Sequence, residues 1–130
     1  MRNAGSTAGL TYLVYAGSFN EKIGGSLWLH KLVHTLNDLG ERAFLWPARP
    51  PLRYPSLRGW IQREWRLLSR PYLVNPELDT PVAGREELTA QAVVIYPEIV
   101  LGNPLQAKNV VRWLLYDPRL HTHFRFGDNE

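Results

Sequence analysis

Residues 12–46 hold a strand, a glycine-rich loop, a helix and a second strand, and this constrains the fold more than any other feature. Tyr12-Leu13-Val14-Tyr15-Ala16 is an almost wholly apolar run that ends at Gly17. Short apolar runs bounded by glycine read as buried strands. The loop Gly17–Gly25 follows, and Ser26 is a candidate helix cap. Leu29, Leu32, Val33 and Leu36 fall at i, i+3, i+4 and i+7, one face of a helix. Gly40 sits where a helix-terminating glycine belongs. Ala43-Phe44-Leu45-Trp46 is a second short strand, stopped by Pro47. This is the βαβ pattern, whose parallel strands join by a right-handed crossover.

The rest of the chain extends the same theme. Pro47, Pro50, Pro51 and Pro55 exclude regular structure over 47–56. A short amphipathic helix is expected next, with Leu57, Ile61, Trp65 and Leu68 on one side. Tyr72-Leu73-Val74 reads as a short edge strand, and 75–90 as a polar connector. Val93-Val94-Ile95-Tyr96 is a β-branched strand ended by Pro97. Asn103-Pro104 places an N-cap residue before a first-turn proline. Ala107, Val110, Val111 and Leu114 then repeat the helical face, so a second helix is expected before Pro118. The fold class expected is α/β: a Rossmann-like three-layer α/β/α arrangement with a short, mostly parallel sheet. Residues 1–10 are a flexible lead-in to a single domain spanning 1–130, and 47–70 are a Pro/Arg/Trp-rich insertion.

Composition narrows the chemistry. With 130 residues and 45% apolar content the chain can bury on the order of two-thirds of its surface without covalent staples. It has no cysteine, so disulfides, thiolate metal sites and cysteine nucleophiles are excluded. No apolar run approaches the ~18 residues of a membrane span, and MRNAGSTAGL lacks the apolar centre of a signal peptide, so a cytoplasmic location is expected. The net charge of +3 is too mild to mark a nucleic-acid binder. It is unevenly placed, however: residues 49–70 carry six arginines against Glu64 alone, and also Trp60 and Trp65. Arg58, Arg63, Arg66 and Arg70 form the basic patch of this stretch. It reads as a solvated face over packed tryptophans, as a peripheral contact with anionic lipid, or as a nucleic-acid track, of which the last is disfavoured.

In a parallel α/β sheet, ligands bind at the carboxyl ends of the strands. Two places there carry chemistry. Gly24, Gly25 and Ser26, with Asn20 before them, put glycines at a helix start, where backbone N–H groups and the helix dipole favour an anion. The spacing is neither G-x-G-x-x-G nor a P-loop, and by pattern alone a tight βα turn that needs glycine for its backbone geometry is the favoured reading. Glu98 follows a strand end, beside Asn103. Its carboxylate suits a general base or a sugar-hydroxyl acceptor, and a helix-capping role is the alternative for either residue. His30 and His34 have i, i+4 spacing on the polar side of the helix, but Lys31 stands where H-E-x-x-H needs Glu and no third ligand is evident, so no metal is expected. His121 and His123 read as exposed tail residues, and no G-x-S-x-G elbow occurs.

Three segments carry a resemblance to a family: Tyr12–Gly40, the connector NPELDTPV at 75–82, and above all YPEIV-x-GNPL-x-AKNVVRWLL within 93–118. Through them the chain resembles the N-terminal half of bacterial GT-B-type glycosyltransferases, while 47–70 resembles nothing in that family. The resemblance implies one of two Rossmann-like domains facing a cleft. The N-terminal domain receives the acceptor, and the C-terminal domain holds the nucleotide sugar. It implies that Gly24 and Gly25 face the cleft, with His30, Glu98 and Asn103 near the acceptor. The catalytic residue is not identified by motif; Glu98 and His30 are the candidates. On this reading the chain is a partial domain without the donor half, inactive or weakly active alone, with no bound cofactor and a nucleotide-sugar donor only when a second domain completes it. A homodimer or a partner chain is expected to cover the cut sheet, using strand 93–96 or the helices beside it. The alternative is a non-catalytic dimerising or protein-interaction module.

Overall fold

The computed structural model describes residues 9–48 and 71–115. Strand β1 runs Thr11–Ala16, helix α1 Gly24–Asp38, β2 Ala43–Pro47, β3 Ala92–Pro97 and β4 Asn109–Trp113. All four strands are parallel, in the order β2-β1-β3-β4. The protein is therefore an α/β chain with a parallel sheet and a helix on one face. The expected strands at 12–16, 43–46 and 93–96 are β1, β2 and β3.

Alternation along the strands separates two apolar clusters. Val14, Ala16, Leu45 and Ile95 meet Leu29 and Val33 of α1, with Leu32 and Leu36 packed alongside. Leu13, Tyr15, Val94 and Tyr96 form the other cluster, covered by Ala83, Leu88, Val100, Leu105 and Ala107. The described cover of that cluster is thus loop, not helix. α1 closes as the sequence expects: Gly40 has φ 88°, its N–H bonds the Asn37 carbonyl, and the Glu41 N–H bonds the Leu36 carbonyl. This is the Schellman motif, which satisfies two otherwise unpaired helix carbonyls.

Five expectations are corrected. The helix expected over 107–114 is strand β4, paired with β3 from Val93↔Asn109 to Pro97↔Trp113. Val110 and Val111 are β-branched and fit a pleated strand, and β3 would otherwise have an open edge on that side. Asn103 starts a tight loop instead: its Oδ1 accepts from the Ala107 N–H at 3.0 Å, its Nδ2 donates to the Ala107 carbonyl at 2.8 Å, and Gln106 takes φ 51°. Tyr72–Val74 forms no strand; it is bonded to the loop after β1, with the Phe19 N–H donating to the Leu73 carbonyl at 2.8 Å. Residues 75–90 are more than a connector. Val82 bridges the outer edge of β2, where the Leu45 N–H meets the Pro81 carbonyl and the Ala83 N–H meets the Leu45 carbonyl. Strand 93–96 is internal, hydrogen-bonded to β1 and β4, so it offers no free edge to a second copy.

The expected lead-in over 1–8, the helix with Leu57, Ile61, Trp65 and Leu68, the patch Arg58, Arg63, Arg66 and Arg70, and the tail with His121 and His123 lie outside the described residues.

Candidate functional site

The strand order reverses between β1 and β3: β1 leads to β2 on one side, whereas β3 leads to β4 on the other. Such a switch point opens a crevice between the loops that leave the two strands. Neighbouring strands lie about 4.8 Å apart, so the loop after Ala16 and the turn after Pro97 start side by side. Both sequence-derived site segments, 17–26 and Glu98, are therefore brought to one edge of the sheet.

The loop after β1 is held from below by His30 and Tyr72. His30 is completely buried. Its Nε2–H donates to the Gly17 carbonyl at 2.8 Å, which makes Nδ1 the acceptor nitrogen. Nδ1 is itself buried with no hydrogen-bond partner. The ring lies edge-on to Phe19 (centroids 5.4 Å apart) and stacks on Tyr72 (6.2 Å, planes 22° apart). Burial lowers the His30 pKa and the bond to Gly17 opposes this, so the imidazole is neutral. The Tyr72 hydroxyl donates to the Ala16 carbonyl at 2.7 Å and lies 3.0 Å from that of Gly17, and burial pushes its pKa well above the ordinary range. The sequence placed His30 on the polar side of the helix; the structure makes it a buried support of the loop. His34 is engaged elsewhere, its Nδ1 accepting from the Asp79 N–H at 3.0 Å.

The upper loop ties to itself. The Ser26 hydroxyl donates to the Ser18 carbonyl at 2.9 Å and accepts from the Asn20 N–H at 3.2 Å. Asn20 Oδ1 accepts from the Lys22 N–H at 3.0 Å, a local turn bond. Ser26 is thus not the helix cap. α1 starts at Gly24, with Ile23 as the N-cap residue, no side-chain cap and no acid in the first turn. Neither Gly24 nor Gly25 has a positive φ, and a Cβ at either position would meet open space. Backbone geometry and packing leave the glycines unexplained. Among the described residues no side chain caps this helix N-terminus, the positive end of the dipole.

Glu98 is 5% exposed and follows the last residue of β3. Its Oε2 accepts from the Leu115 N–H at 3.1 Å, just past the end of β4. No described cation pairs with it. A hydrogen-bonded carboxylate in this position can accept a hydroxyl proton or hold a sugar hydroxyl. Asn103 is not free to join it: besides its two bonds to Ala107, its Oδ1 accepts from the Tyr96 hydroxyl at 2.8 Å, while that hydroxyl accepts from the Leu105 N–H at 3.0 Å. Asn103 therefore shapes the loop that covers Tyr96. Among the described residues no group of three or more His, Asp or Glu side chains is placed to hold a metal, and no helix is long and apolar enough to cross a membrane.

Sequence reasoning missed Tyr72. Its contact with the loop spans more than fifty residues, so no local period signals it.

Comparison with protein-family models, with curated proteins and with solved structures finds no match.

Proposed function

We propose that this chain is a glycosyltransferase-like, acceptor-side domain that binds a sugar bearing an anionic group at the carboxyl edge of β1 and β3. The observation that carries the reading is the pairing of opposite polarities at the switch point. An uncapped helix N-terminus with two unobstructed glycines offers N–H donors to a phosphate or carboxylate. The buried Glu98 carboxylate offers acceptors to hydroxyls. A ligand with both kinds of group, such as a sugar phosphate or nucleotide sugar, matches both. The parallel α/β sheet supports the resemblance of residues 12–40 and 93–118 to the GT-B N-terminal domain, whose full form is a Rossmann-like three-layer fold. In that reading Gly24, Gly25, Ser26 and Asn20 shape the anion side, Glu98 is the candidate base, and His30 positions the loop. In that reading a second domain supplies the donor contacts and the charge stabilisation that transfer requires, so these 130 residues alone transfer slowly or not at all. A cytoplasmic nucleotide-sugar pool fits this role. Homodimerisation without catalysis is the competing reading.

Saturation-transfer NMR with UDP-, GDP- and ADP-sugars and free sugars tests this. Saturation transfer from the protein to a nucleotide sugar is expected, lost in Gly25→Val and weakened in Glu98→Gln. Because a side chain at residue 25 meets open space, Gly25→Val leaves the fold intact, and unchanged far-UV circular dichroism checks this. No transfer from the folded wild-type chain to any member of the panel overturns the reading.

A further inference from the structure

His30 combines complete burial with an unfilled hydrogen-bonding position, its Nδ1. In the neutral ring Nδ1 is only an unused acceptor. A second proton turns it into a donor with no acceptor and places a positive charge out of water. A buried charge is tolerated where an opposite charge pairs with it. Around His30 the titratable and charged groups are Tyr72, stacked on the ring, Tyr12 and Tyr15 on β1, Glu21 and Lys22 in the loop, Lys31 and His34 on α1, and Glu98 after β3. Among the described residues no carboxylate pairs with the ring. Glu21 and Lys22 are exposed, Lys31 lies over Trp28, His34 accepts from the Asp79 N–H, and Glu98 accepts from the Leu115 N–H. Burial therefore governs the ring and lowers its pKa, and the Gly17 carbonyl opposes it.

The loop gives the ring a short route to water. Gly17 and Phe19 lie against the imidazole, through the bond to the Gly17 carbonyl and the edge-on Phe19 ring. Gly17, Ser18 and 20–24 are exposed and Phe19 is half-buried, so lifting this loop gives up little apolar burial. Unfolding the sheet gives up the whole cluster of Val14, Leu29, Val33, Leu45 and Ile95. Segments with few buried apolar contacts open locally at a free energy below that of global unfolding. We propose that His30 is an acid-triggered release for the loop between β1 and α1: the doubly protonated ring turns out to solvent and the loop lifts off it. The loop holds Asn20 and runs into Gly24 and Gly25, so its lifting takes apart the anion side of the site. That last consequence rests on the sugar reading, whereas the release itself does not.

Amide 1H–15N spectra of the free chain between pH 8 and pH 5, beside far-UV circular dichroism, test the release. The amides of 17–23 are expected to shift together as pH falls, while the far-UV signal holds. His30→Gln keeps an N–H for the Gly17 carbonyl and cannot take a second proton, so its loop amides should stay in place over the same range. Tyr72→Phe loses the hydroxyl beside the Ala16 and Gly17 carbonyls. Its loop opens more readily, so the shift should begin at higher pH, nearer the roughly 6.5 of an exposed histidine. UDP-glucose, GDP-mannose and ADP-glucose are the probes for the site, because their diphosphates keep their charge over this range. The affinity for whichever binds at pH 8 should fall by as much as about tenfold per pH unit in the wild type and stay level in His30→Gln. Loop amides that stay still in the wild type, that move equally in His30→Gln, or that move only with loss of the far-UV signal overturn the proposal. A loop that opens in acid on a chain that binds no probe at pH 8 upholds the release and refutes the sugar reading. A probe held equally at pH 5 and pH 8 while the loop opens overturns the loop's control of the site.

Discussion

Replacing His30 by Leu separates its two opposed contributions. Leu has a similar volume and a high helix propensity, so little packing is lost. The bond to the Gly17 carbonyl disappears, at a net cost of about 1 kcal/mol. That carbonyl keeps the Tyr72 hydroxyl 3.0 Å away and is not orphaned. The variant also removes the unpartnered, buried Nδ1, whose desolvation costs about 1–3 kcal/mol. The second effect equals or exceeds the first, so at pH 8 His30→Leu should be within about 1 kcal/mol of the wild type, on the stabilising side. The two proteins should part in acid. The folded state holds His30 neutral, with a pKa below the ordinary 6.5. Below that value the unfolded chain takes up a proton that the folded chain refuses. Stability is therefore complete above the unfolded pKa and lost as pH falls from there towards the folded value, by at most about 1.4 kcal/mol per pH unit. At pH 5 this amounts to as much as about 2 kcal/mol, which His30→Leu should recover. Urea unfolding followed by circular dichroism at pH 8 and pH 5 measures it. Parallel pH dependence of the two proteins, or a loss above about 1 kcal/mol at pH 8, would refute the reasoning.

Asn103→Ala should destabilise by about 2 kcal/mol in thermal or urea unfolding, because it breaks bonds to the Tyr96 hydroxyl and to both backbone groups of Ala107. It should leave any sugar signal in NMR intact, which distinguishes a loop brace from a ligand contact. Gly40→Ala should cost about 1 kcal/mol in the same unfolding assay, since φ 88° burdens any residue with a Cβ.

The candidate site was legible in part. Glu98 and the glycines at 24 and 25 could be placed at strand ends from local pattern alone, and parallel pairing brings those ends to one edge. The roles of the polar residues there were not legible. Ser26 looks like a cap in sequence, yet its hydroxyl is drawn back to Ser18, eight residues away. His30 looks like half of an exposed pair, yet the turn of α1 buries it while leaving His34 at the flank.

The sequence by itself determined the elements whose signal is local. β1, α1, β2 and β3 follow from apolar runs, a 3.6-residue period and the left-handed glycine at 40, because these depend on residues within one or two turns. Tertiary structure alone decided the rest. Residues 107–114 satisfy a helical period and a strand equally well, and the open edge of β3 settled the choice for 109–113. Tyr72, Asp79 and Val82 take their places through bonds to Ala16, His34 and Leu45. Contacts of such long separation depend on which backbone groups the folded sheet leaves unpaired, a quantity that no local window of sequence contains.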